Sequence, residues 1–192
     1  MSPTFVTLDG VSYASPDGRR LLDNLTLAFG AERTGLVGRN GVGKSTLVRL
    51  ILGELPPAAG AVSVRGRVGV LRQALAPEPG ASVAALLGVE TALDRLRRIA
   101  AGEGAEDDLA EADWTLEARL DAALADVGLA GLELGRPAAT LSGGQVTRAA
   151  LAGLVAAEPD LLILDEPTNN LDADARDLVA GLLERWRGGA PP

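Results

Sequence analysis

The chain of 192 residues has no cysteine and no histidine, and aromatic residues make up 3% of it. Without cysteine there are no disulfides, thiolate metal sites or cysteine nucleophiles. With so few aromatics, aliphatic side chains and alanine must fill the core. Long apolar runs are also missing. The run Leu161-Leu162-Ile163-Leu164 is far too short to span a bilayer, so the chain is expected to insert into no membrane by itself. Met1 to Phe5 lacks a basic stretch leading into an apolar one, so no secretory signal is read there, and the cytoplasm is the expected compartment. The net charge of −8 argues against a general nucleic-acid-binding surface, and no DNA partner is expected. Lysine is nearly absent too: there is one, Lys44, beside 17 arginines.

What is present reads as an α/β chain long enough to bury a sizeable core. Phe5–Leu8 and Leu25–Phe29 alternate as strands around the turn-rich Ser15-Pro16-Asp17-Gly18. Thr34–Val37 reads as a short strand, Lys44–Leu52 as a helix, and Ala61–Val64 and Val68–Leu71 as two more strands. From Ala81 to Val127 the texture turns helical. Ser82 is placed to cap a first helix, and Leu93, Leu96 and Ile99 stripe a second. Gly102 to Asp108 is a polar loop or helix entry. Leu116 to Val127 forms a further helix closed by Gly128, and another helix follows Ser142. Leu161–Leu164 is a fully apolar strand ending in acid, and a last helix runs from about Ala173 to Trp186. Strands alternating with helices predict a parallel sheet.

Lys44 lies in Gly38-Arg39-Asn40-Gly41-Val42-Gly43-Lys44-Ser45-Thr46, the P-loop pattern G-x-x-x-x-G-K-[ST]. Successive backbone N–H groups cradle phosphates there, and the dipole of the helix behind Gly43 favours an anion. A chain that uses arginine everywhere else and lysine only here needs a compact ammonium between phosphates rather than a planar fork. Ser45 would offer its hydroxyl to Mg²⁺. The bland alternative is a glycine turn between strand and helix. Leu161–Leu164 followed by Asp165 and Glu166 has the form of a Walker B strand, with Asp165 holding Mg²⁺ and Glu166 orienting or deprotonating water. Leu141-Ser142-Gly143-Gly144-Gln145 opens a helix with two glycines beside a serine, a second nest of N–H donors for phosphate oxygens. A second nest in a chain that already has a P-loop needs a second nucleotide or a second subunit.

That combination resembles the ATP-binding cassette (ABC) ATPases, in which the signature of one cassette closes on ATP held by another. The resemblance implies a P-loop NTPase core with a parallel sheet, an N-terminal antiparallel β subdomain and a helical subdomain. It implies one cassette domain over residues 1–192, with its core at 1–73 and 143–192 and a helical insertion at 74–142. By the same resemblance Tyr13 stacks on adenine, or is a plain strand or turn aromatic. Gln73 senses Mg²⁺ and the attacking water, or is an exposed polar residue. Asn170-Leu171-Asp172 matches the D-loop, and Arg148 matches an arginine of the signature helix. Lys44, Gln73 and Glu166 are the catalytic candidates. Tyr13, Gly38, Asn40, Gly41, Gly43, Lys44, Ser45, Thr46 and Ser142 to Gln145 are the ATP-binding candidates, and Ser45, Gln73 and Asp165 the Mg²⁺ candidates.

Asp165-Glu166-Pro167-Thr168-Asn169-Asn170-Leu171-Asp172 and the P-loop entry Gly35 to Gly41 look like the ABC-F group, twin-cassette proteins that act on ribosomes. That group carries a helical arm between Gln73 and the signature. Here the stretch around Asp94–Ile99 and the acidic loop after it would supply a short one. Arg95, Arg97 and Arg98 would then meet ribosomal RNA phosphates, or form a solvated helix face. The family also has a switch histidine, which this chain lacks, and two cassettes around each ATP. The chain is therefore read as the first cassette of a longer protein, cut before that histidine, with a second cassette as its expected partner. A transporter's nucleotide-binding subunit and a non-catalytic ATP-binding fragment are the alternatives.

Overall fold

A computed structural model describes residues 4–39, 41–71, 77–165 and 171–186. The chain divides into two compact units, Met1–Val68 and Gly69–Pro192.

In the first unit, β1 (Thr4–Ala14) and β2 (Arg20–Gly30) form an antiparallel hairpin, and β3 (Ala59–Val64) pairs antiparallel with the other edge of β1, giving the order β2-β1-β3. The strands run further toward the turn than the hydrophobic alternation suggests. The turn is closed by the Ser15 amide on the Arg19 carbonyl at 2.9 Å and by the Ser15 hydroxyl on Asp17. Val6, Leu8 and Val11 are fully buried along one face of β1, and α1 (Lys44–Ile51) adds Leu47, Leu50 and Ile51 to the buried set. Each fully buried leucine or valine is worth about 2 kcal/mol. Where β3 passes β1, a Cβ on Gly60 would fall 2.4 Å from the Asp9 carbonyl oxygen, so only glycine permits this approach.

Thr34–Val37 is not a strand. Residues 33–39 carry no regular structure, with Leu36 47% and Val37 89% exposed. A strand exists through its ladder partners. Among the described residues this segment pairs with none, so its apolar pattern does not become a strand.

In the second unit, β4 (Val68–Leu71) and β5 (Leu161–Leu164) form a two-stranded parallel sheet, extended by the Asp165 amide donating to the Leu71 carbonyl at 2.9 Å. All four β5 residues are half-buried rather than buried as their composition suggests, because a strand with one ladder partner among the described residues keeps an open edge. Around it lie α2 (Val83–Leu86), α3 (Glu90–Ala100), α4 (Glu106–Ala110), α5 (Leu116–Asp126), α6 (Gly143–Ala156) and α7 (Ala173–Arg185).

The Ser82 hydroxyl caps α2 by accepting from the Ala85 amide at 3.0 Å. Of the α3 stripe only Leu93 is fully buried, and Leu96 and Ile99 are half-buried. The polar stretch at 102–108 resolves into a tight glycine turn and the start of α4, whose first-turn acids suit the positive end of a helix. One core runs through Leu87, Leu93, Leu120, Leu124, Leu151, Val179 and Leu182, packing α5 against α6 and α7. Gly128 closes α5 at φ +69.

Candidate functional site

The P-loop lies in the first unit. Val42 donates to the Arg39 carbonyl at 3.3 Å, and Gly41 and Gly43 sit at φ +78 and +108, a curl that side chains rarely adopt. Gly43 is the N-cap of α1, whose first amides therefore lie at the mouth of the loop. The Lys44 ammonium folds back over the curl and donates to the carbonyls of Gly38 at 2.7 Å and Arg39 at 3.2 Å. A cation held against a loop that leads into the positive end of a helix fits an anion. Ser45 is exposed on the first turn of α1, and Thr46 is half-buried.

Tyr13 reaches this neighbourhood through the hairpin. It pairs across the sheet with Leu22, and Leu22 Cδ2 and the Leu21 carbonyl lie 3.7 and 3.5 Å from where a Cβ on Gly43 would stand. The half-buried tyrosine thus sits one strand away from the end of the loop. Asn40, Gln73 and Glu166, together with the stretch from Pro167 to Asn170, lie outside the described residues.

The signature lies in the second unit. Ser142 is the N-cap of α6 in a reciprocal capping box: its hydroxyl oxygen accepts from the Gln145 amide at 3.3 Å, and Gln145 Oε1 accepts from the Ser142 amide at 2.9 Å. The serine hydroxyl hydrogen stays available to a ligand, and the amides of Gly143 and Gly144 belong to the open first turn. Arg148 Nε donates back to the Gly144 carbonyl at 3.4 Å. Its Nη1 donates to the Val127 carbonyl at 2.8 Å and ties α6 to the C-terminal end of α5. Asp165 follows β5 half-buried, and a carboxylate is a hard oxygen donor of the kind Mg²⁺ takes. Leu171 is buried, and Asp172 is the N-cap of α7, accepting from the Ala175 amide at 2.8 Å.

The arginines of α3 are spent on carboxylates. Arg97 pairs with Asp94 at 2.9 Å, Arg98 donates to Asp108 at 3.3 Å through Nε, and Arg95 pairs with Glu111. The hydrogen bond from Arg98, then that from the Ala105 amide, holds the Asp108 carboxyl below the ordinary carboxylate value. These pairs favour the solvated-face reading of the arginines over contact with RNA.

Sequence reasoning passed over Arg119. Its Nε donates to the Ala156 carbonyl at 2.8 Å, and its Nη2 holds Asp113 at 2.7 Å, which depresses the Asp113 carboxyl. It thereby clamps the loop before α5 to the end of the signature helix. No short pattern announces a contact between residues 37 positions apart.

A family model described as ABC transporter matches residues 22–169. The chain is 41% identical to the tylosin resistance ATP-binding protein TlrC of Streptomyces fradiae, over 95% of this chain and 38% of that protein. It is 39% identical to the nickel import ATP-binding protein NikO of Rhodobacter capsulatus, over 100% of this chain and 77% of that protein. It is 33% identical to ABC transporter F family member 3 of Arabidopsis thaliana, over 97% of this chain and 24% of that protein. The chain thus spans well under half the length of several curated relatives it matches. Among solved structures, CbiO1 from Clostridium perfringens, part of an ABC transporter complex, superposes with a TM-score of 0.65 at 27% identity over 94% of this chain and 72% of that one. An ATP-binding subunit of an ABC transporter superposes with a TM-score of 0.74 at 22% identity over 95% of this chain and 75% of that one.

Proposed function

The chain belongs to the ABC transporter family of ATP-binding domains, and from that premise we propose that it is the ATP-binding and ATP-hydrolysing cassette of an ABC-F-type protein whose nucleotide state regulates a ribosome-bound state in the cytoplasm. The observation that carries the nucleotide part is the Lys44 ammonium laid over the Gly38 and Arg39 carbonyls at the N-terminus of α1. The ABC-F part is supported by the stretch Asp165 to Asp172 and by the likeness to a resistance protein and an F family member, both much longer than this chain.

In this reading Lys44 and the amides of Gly41 to Ser45 bind the β- and γ-phosphates, and Tyr13 stacks on the adenine. Ser45, Gln73 and Asp165 would hold Mg²⁺. When bound, the ion neutralises charge developing on the phosphate oxygens. Gln73 and Glu166 orient the attacking water, and Glu166 accepts its proton. Ser142 and Gly144 serve the ATP of a second cassette, through the hydroxyl hydrogen and first-turn amides that the capping box presents. Catalysis is mostly electrostatic positioning, where one donor is worth about 10²–10³ in rate.

Glu166→Gln in the full-length protein should keep ATP binding, stop turnover and trap the protein on ribosomes. Co-sedimentation with ribosomes in ATP checks this. A Glu166→Gln protein that binds ATP but never sediments with ribosomes contradicts the ribosomal role. A second reading, the ATP-binding subunit of a transporter, is favoured by the match to NikO over the whole chain and most of that protein. Co-purification with a membrane-spanning partner would support it instead.

A further inference from the structure

We propose that α4 and the turn after it form a docking surface for a basic protein segment, with Trp114 and Leu109 as its apolar anchors. Trp114 is 64% exposed and Leu109 53%, among the most exposed large apolar side chains described. A lone exposed leucine needs no explanation. A tryptophan held out on an anchored turn does, because tryptophan on a rigid support is the commonest centre of a binding hot spot.

The turn is anchored on both sides of the indole. Asp113 is gripped by Arg119 at 2.7 and 3.1 Å, the Thr115 hydroxyl donates to Asp113 at 3.1 Å, and Leu116 is buried. The α3–α4 connection is equally tight, since a Cβ on Gly104 would meet Ile99 at 2.8 Å. Little ordering remains to be done on binding, so the cost of immobilising the anchor is already met in the free protein.

Charge selects the partner. Residues 103–117 hold seven carboxylates and no lysine or arginine, beside a net charge of −8 for the whole chain. Of these seven, Asp108, Glu111 and Asp113 are paired, with Arg95, Arg98 and Arg119. Glu103, Glu106, Asp107 and Glu117 have no ion pair among the described residues. An acidic surround with an exposed indole suits lysine or arginine side chains, whose cations also stack on the indole face. The same surround repels RNA phosphates and anionic membranes. The surface chemistry does not depend on whether the cassette serves a ribosome or a transporter.

The test is fluorescence anisotropy of a labelled peptide of alternating arginine and leucine, titrated with the chain. A glutamate–leucine peptide and a single-stranded oligouridine RNA serve as comparators. Trp114→Ala should weaken peptide binding at least tenfold with net charge unchanged, and Trp114→Phe should restore part of it. Glu106→Gln with Asp107→Asn should weaken it several-fold, by a factor that shrinks as salt rises. Circular dichroism reports the fold of each variant. If Trp114→Ala fails to fold, the Trp114→Phe and carboxylate variants decide. Equal binding by wild type and the tryptophan variants would reduce the effect to attraction of any polycation and overturn the proposal. So would RNA binding as tight as the peptide's, or no peptide binding at all. ATP binding measured on the same samples separates the two claims: its loss in wild type counts against the nucleotide reading and leaves this one standing.

Discussion

A Cβ on Gly60 would fall 2.4 Å from Asp9 and Gly10 backbone atoms, at a φ of +82 that L side chains rarely adopt. Gly153 is pressed as closely, with a Cβ position 2.5 Å from the Leu87 carbonyl oxygen where α6 crosses the end of α2. Neither neighbour is a flexible side chain that can swing aside. Gly60→Ala should therefore destabilise the chain by about 3 kcal/mol, overpacking and φ strain together, and Gly153→Ala by about 2 kcal/mol. Chemical denaturation midpoints check both, and wild-type midpoints would contradict these contacts. At this scale the sequence was readable wherever the chemistry is local. Ser82 and Ser142 announce helix starts because their hydroxyls reach amides three residues on. Arg119 was unreadable because its partners are brought to it by the packing of α5 on α6.

At the N-terminus of α6 the proposed site chemistry and the local stability depend on the same atoms. Ser142→Ala should remove the cap, cost about 1 kcal/mol and expose the first turn to fraying. Gln145→Ala should break only the return half of the box and cost less. Amide exchange at residues 143–147 measures both, and equal protection in wild type and Ser142→Ala would contradict the capping geometry.

The α3–α4–α5 contacts carry a pH dependence. The Asp108 and Asp113 carboxyls lie below their ordinary value when folded, through hydrogen bonds from Arg98 and Arg119. The folded chain then binds fewer protons than the unfolded one, so the stabilisation is full above the ordinary carboxylate value and fades as pH falls through the lower folded value. Below about pH 4 these helices should lose protection before α6 does. Asp113→Asn should remove the Asp113 part of that acid sensitivity.

The elements themselves were largely legible from periodicity and caps. The exceptions, among the described residues, were Thr34–Val37, which lacks a ladder partner, and β5, whose uniform leucines and isoleucine promise more burial than its one neighbouring strand there provides. Periodicity reports what a segment prefers, and pairing decides what it becomes.

For the whole molecule, the P-loop curl and the capped signature turn lie on separate compact units. What the motifs left unread is charge placement. The three arginines of α3 leave an RNA-facing helix and a solvated face both open until their carboxylate partners, scattered from position 94 to 111, are brought alongside. The central claim is that the curl around Lys44 holds the phosphates of ATP. Isothermal titration of ATP with Mg²⁺ into the wild-type chain, Lys44→Ala and Ser142→Ala tests it most directly. The account predicts one binding site on wild type, at least a hundredfold weaker binding by Lys44→Ala and unchanged binding by Ser142→Ala, because the serine serves another cassette's nucleotide. Equal affinity in wild type and Lys44→Ala would contradict it.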